Sequence, residues 1–220
     1  MWQELFDSLK DRNFMVVAVA EESRGAEHAR PWIEQAAAAH WSLIDTEHRV
    51  ADLYGMVNVP QAVWIDENGR IVRPPETAGS TDHFRRMDRA TRSLSPEDQA
   101  ARLAARAAYL DAVRDWVSTG RYALSPDRVG QRLPRATPRI ASANAHFRLG
   151  IWLYRNGRSE EAAAQFAEAS RLHPESWTKW RQAADLRAVG EASGEAFWRR
   201  VEALGERPYY PAPDLSDTGG

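Results

Sequence analysis

The chain changes its periodicity once, and that change limits the folds open to it. From residue 1 to about 76, short β-rich runs alternate with helix-period segments; past Pro74 and Pro75 the pattern is helical throughout. Strands alternating with helices imply a parallel sheet, so the expected fold class is α/β followed by all-α. FMVVAVA (14–20) is a continuous, β-branched apolar run, which predicts a strand covered on both faces. It is also the longest apolar run, far short of the roughly 18 residues that span a bilayer.

Around that strand, Trp2, Leu5, Phe6 and Leu9 fall on one helical stripe. Residues 23–40 predict a helix whose regular part begins near Pro31, because proline is tolerated in the first helical turn and not deeper. WSLID (41–45) predicts a strand, and Asp45 or Thr46 can cap a helix that stops at Gly55. Strands over 62–66 and 70–72, joined tightly through Glu67, Asn68 and Gly69, predict a hairpin. Beyond the prolines a helix is expected over 81–94. Another starts at Ser95 with Pro96, Glu97 and Asp98 and ends before Gly120. Prolines 126, 134 and 138 punctuate 121–138. Helices follow over 139–156, 159–172, 176–188 and 194–204. RPYYPAPDLSDTGG closes the chain as an extended strap that docks Tyr209 and Tyr210, then a frayed tip.

Composition excludes several function classes. The 29 basic and 31 acidic residues leave a formal charge of −2, which offers no broad attraction to nucleic acid or an anionic membrane. Lys10 and Lys179 are the only lysines. There is no cysteine, so this chain has no disulfide, no thiolate nucleophile and no Cys-ligated zinc. The acidic, amphipathic start MWQELFDSLKDR differs from a secretory signal, and a cytoplasmic location is expected.

The six histidines form no short metal-ligand spacing. His40, His48 and His173 fall near expected helix ends and read as structural or solvated. The adjacent carboxylates Glu21/Glu22, Glu160/Glu161 and Asp66/Glu67 read as solvent-facing or as compensating helix N-terminal dipoles, since sequence neighbours do not face one another on a helix. Ser42, Ser80 and Ser142 lack a nucleophile-elbow context, and no phosphate-binding glycine pattern is present. No metal or cofactor is expected. Arg85, Arg86, Arg89 and Arg92 read as a solvated helix face. Nine tryptophans are expected to fill cores and packing surfaces before any ligand cage.

Two family resemblances extend this reading. HFRLGIWLYRNGRSEEAAAQFAEASRLHP carries Leu149, Gly150, Gly157, Ala162, Phe166, Ala169 and Pro174 in the register of a tetratricopeptide repeat, which it resembles. Gly150 and Ala162 are small where two helices cross, and Phe166 fills the space between them. One repeat makes a hairpin and about three are needed for a concave binding surface, so internal packing is favoured over peptide binding. In DLYGMVNVPQAVWIDENGRIV, Tyr54, Val57, Pro60, Ile65, Asp66, Gly69 and Ile71 stand in a pattern similar to thioredoxin-like redoxins, especially the thiol:disulfide reductase and peroxiredoxin-like group. That resemblance implies that Pro60 is cis and that Val59 and Pro60 form the turn that binds substrate.

The same resemblance implies a central strand and a C-x-x-C-like motif before the first helix, and these residues contain neither. Two explanations follow. In one, the reading frame extends upstream through that strand and a cysteine, or the selenocysteine some relatives use. In the other, the chain is a short form that binds or scaffolds. A parallel sheet without its central strand leaves unpaired backbone groups, which favours the first. The expected domains are a redoxin-like segment over 1–76, a helical connector over 77–138, a tetratricopeptide-like region over 139–206 and a tail over 207–220. The expected function is that of a redoxin-type oxidoreductase lineage, catalytically silent without its nucleophile. The alternative is a non-enzymatic interaction module that docks a protein partner on the tetratricopeptide-like helices.

Overall fold

The β-branched run forms β1 (Val17–Glu21), which pairs in parallel with β2 (Trp41–Asp45) in the register Val17↔Trp41 to Glu21↔Asp45. The structure is a computed structural model that describes residues 1–216. The chain is α/β and then helical, in this order: α1 (Trp2–Leu9), β1, α2 (Ala26–Ala36), β2, α3 (Arg49–Tyr54), β3 (Gln61–Ile65), β4 (Ile71–Thr77), a 3-10 turn over Asp82–Arg86, α4 (Pro96–Thr119), α5 (Pro126–Arg132), α6 (Pro138–Arg155), α7 (Ser159–Leu172), α8 (Trp177–Arg187), a 3-10 turn over Glu191–Ser193 and α9 (Glu195–Glu202). These segments build two units that interleave along the chain. One contains Met1–Met15, Pro60–Leu133 and the chain from Ala203 on; the other contains Val16–Val59 and Pro134–Glu202.

In the first unit β3 and β4 form an antiparallel hairpin, and α1 and α4 close a core of Leu5, Leu9, Trp64, Tyr109, Leu110 and Val113. The Trp64 indole donates to the Tyr109 hydroxyl at 2.9 Å and stacks on Trp116 at 5.1 Å. Burial pushes the Tyr109 hydroxyl up, so it remains a neutral phenol. Gly79 lies with φ +71°, and a Cβ there would stand 3.1 Å from the Arg106 Cα of α4. Both conformation and space call for glycine. Arg73 is fully buried, and each of its three nitrogens donates. It makes two 2.8 Å bonds to Glu76, donates to the carbonyls of Tyr122 and Asp214, and lies over Trp64. The tail docks as expected: Tyr209 and Tyr210 donate their N–H groups to the Asp82 carboxylate and pack their rings on Phe84. The part of the expected frayed tip beyond residue 216 lies outside the described residues.

In the second unit α6 and α7 pack as a helical hairpin. Gly150 meets Phe166 so closely that a Cβ would fall 2.5 Å from its ring, which is the crossing expected from the sequence.

Several expectations need correction. The described strands form two separate two-stranded sheets, not one parallel sheet with the antiparallel hairpin at one end. The β1–β2 sheet is not covered on both faces, since Val17 is 53% and Trp41 64% exposed. β4 continues through Pro74 and Pro75 to Thr77, with register shifts on either side of Trp64; prolines are accommodated in a two-stranded ribbon at irregular pairing. Pro31 sits inside α2, which starts at Ala26. The helix expected over 81–94 is only a 3-10 turn. Asp88 accepts from the N–H groups of Ala90 and Thr91, holding the backbone in a turn that competes with helix. On this stretch Arg85 reaches the carbonyls of Gly205 and Arg207, and Arg86 pairs with Asp98, so they do not form a solvated helix face. Residues 126–132 are helical, with Ser125 as cap and Pro126 in the first turn.

Candidate functional site

Parallel strands deliver their carboxyl ends to one side, where α/β proteins commonly build sites. Here β1 runs out into Glu21, Glu22 and Ser23, and β2 ends at Asp45 before the turn to α3. Asp45 accepts from the N–H groups of Glu47 and Val50 and so shapes that turn. The turn holds His48 in the left-handed region, φ +57°, at the cap of α3.

Three side chains converge as a result. Ser23 Oγ lies 3.0 Å from His48 Nε2, and His48 Nδ1 lies 3.3 Å from Glu21 Oε2. The second contact is an ion-pair distance; neither atom makes a well-aligned hydrogen bond among the described residues. The order of groups is that of an activated hydroxyl, in which a histidine accepts the hydroxyl proton and a carboxylate orients the ring. Access decides otherwise. Ser23 and His48 are both 0% exposed, whereas a reacting atom must come within about 3–3.5 Å of the nucleophile. Helices cover them: the Phe147 ring of α6 packs edge-on to His48 at 5.0 Å, Gln182 of α8 accepts the Ser23 N–H at 2.8 Å, and Arg155 donates to the carbonyls of Ser23 and Thr46. As built, the trio fastens strand ends to helices within this unit.

The neighbouring carboxylates Glu22 and Asp52 are paired. Burial alone would raise the Glu22 carboxyl, but the Arg24 guanidinium and backbone N–H hold it below the usual carboxylate range. Asp52 of α3 accepts from Lys179 Nζ at 2.5 Å and from Arg148 on its other oxygen. Lys179, although buried, also lies over the Phe147 ring. Burial, and then the Lys179 ammonium, press His173 below its ordinary value.

Val59 and Pro60, the expected substrate-binding turn, lie between α3 and β3 with exposed side chains. The Val59 N–H is taken by Asn58 Oδ1 at 2.9 Å, and the Pro60 carbonyl accepts from Ala78 at 3.2 Å. Sequence reasoning missed the trio. It read Glu21 and Glu22 as solvent-facing, whereas the Glu21 side chain is 6% exposed and Glu22 is buried. It placed His48 near a helix end as structural or solvated, and His48 is the buried N-cap of α3. The available signal was polar Glu-Glu-Ser directly following a β-branched run. Among the described residues no cluster of three or more His, Asp and Glu is arranged to hold a metal, and no helix is long and apolar enough to cross a membrane. Comparisons with family models, curated proteins and solved structures give no match to this chain.

Proposed function

We propose that the chain is the substrate-facing and helical part of a redoxin-type oxidoreductase that reduces disulfides or peroxides. The nucleophile is a cysteine or selenocysteine on a strand outside these residues. The observation that carries this reading is strand pairing: among the described residues β1 pairs only with β2, and β3 only with β4. Each sheet, taken by itself, thus keeps strand edges without a strand neighbour, which a further strand can pair. The exposed side chains of Val59 and Pro60 support a role in contacting an extended substrate. With no thiol in the sequence, the chain alone is silent in disulfide exchange.

A backbone amide NMR titration with the insulin B chain, used as an extended peptide, tests the substrate role. Shifts centred on Asn58 to Gln61 are the expected result; no perturbation there overturns it. One observation favours the second reading, a protein-docking module. Leu149 and Trp152 lie three residues apart on α6 and are 45% and 54% exposed, which gives that helix an apolar surface pair. Shifts confined to α6 would favour the module.

A further inference from the structure

α3 and α6 enclose an open cleft of about 300 Å³ lined by Arg49, Asp52, Leu53, Ala141, Asn144 and Arg148. Its charge is unbalanced. The single carboxylate, Asp52, is shared by Arg148 and the buried Lys179. Arg49, exposed on the first turn of α3, makes no ion pair or side-chain hydrogen bond among the described residues. Two arginines and one carboxylate thus line the cleft, that carboxylate is further neutralised from behind by Lys179, and the positive surplus lies where solvent can reach it, with the Arg148 side chain 40% exposed. An arginine fork matches the geometry of carboxylate and phosphate oxygens. Leu53 is 82% exposed and sets an apolar group beside the charges.

We propose that this cleft binds a small organic oxyanion, its carboxylate or phosphate held by Arg49 and the free edge of Arg148 and its apolar part resting on Leu53. The site is independent of any thiol chemistry and of the Val59–Pro60 turn. Isothermal titration at constant ionic strength with phenyl phosphate, benzoate and inorganic phosphate tests it and separates the two oxyanion types. Saturable one-site binding of phenyl phosphate or benzoate is expected, and Arg49→Ala should weaken it at least about tenfold, as loss of a charge-assisted pair does. Leu53→Ser should weaken the aromatic anions and leave inorganic phosphate unchanged. Both residues are exposed, so the variants should keep the parent's circular dichroism and melting temperature. Absence of saturable binding up to about 10 mM for all three probes, or affinity unchanged in Arg49→Ala, overturns the proposal.

Discussion

Ser23 Oγ and His48 Nε2 lie 3.0 Å apart, and neither residue has any surface open to solvent. The contact joins the end of β1 to the cap of α3, 25 residues apart in sequence. Its geometry is that of a proton-sharing pair, and its burial makes it a fastening. Removing one partner leaves the other unsatisfied in the interior, which costs about 1–3 kcal/mol.

Ser23→Ala should therefore lower unfolding stability by about 1–3 kcal/mol, read as a reduced midpoint in urea with an unchanged slope. A serine-directed fluorophosphonate probe should label neither the parent nor the variant. Labelling of Ser23 in the native protein would contradict the structural role.

Arg73 and Glu76 give the larger effect. Replacing the buried guanidinium by Arg73→Met strands the Glu76 carboxylate and two carbonyls, with an expected loss of about 3–5 kcal/mol. The double variant Arg73→Met/Glu76→Gln should recover part of it. Equal stability of single and double variants in chemical denaturation would show that the pair is not coupled.

Gly150→Ala places a methyl carbon within 2.5 Å of the Phe166 ring, and overpacking of this kind costs about 1–3 kcal/mol. Phe166→Leu in the same chain should offset part of the loss. Additive losses, measured by thermal unfolding, would contradict the contact.

His173 sets a pH dependence. Burial, then Lys179, makes the folded protein bind its proton less readily than the unfolded chain. The unfolded state therefore holds more protons between the lowered value and the ordinary 6.5, and stability rises with pH across that window. The contribution is complete above about 6.5 and is lost as pH falls toward the folded value. His173→Gln should flatten that part of the stability–pH curve; an unchanged slope would contradict the assignment.

Local chemistry made much of the fold legible. Ser95, Pro96 and Gly120 bracket α4 as caps and stop, and Asp66 to Gly69 make the hairpin turn between β3 and β4 through Asp66 accepting from Asn68 and Arg70. A similar start, Ser125, Pro126 and the acidic Asp127, opens α5, where nearby prolines hid it. Side-chain competition was harder to read: Asp88 unmakes a helix that the pattern allows. The buried trio was not legible, because Glu21, Ser23 and His48 match no motif and meet only once two parallel strands end side by side. Val59 and Pro60 entered through resemblance alone, since nothing in their own spacing marks a binding turn.

Disulfide and peroxide turnover, measured side by side on this chain and on the chain preceded by whatever residues its coding DNA specifies upstream, tests the central claim most directly. The account predicts no turnover by the chain alone and turnover by the longer protein. Turnover by the chain alone, or by neither, would contradict it.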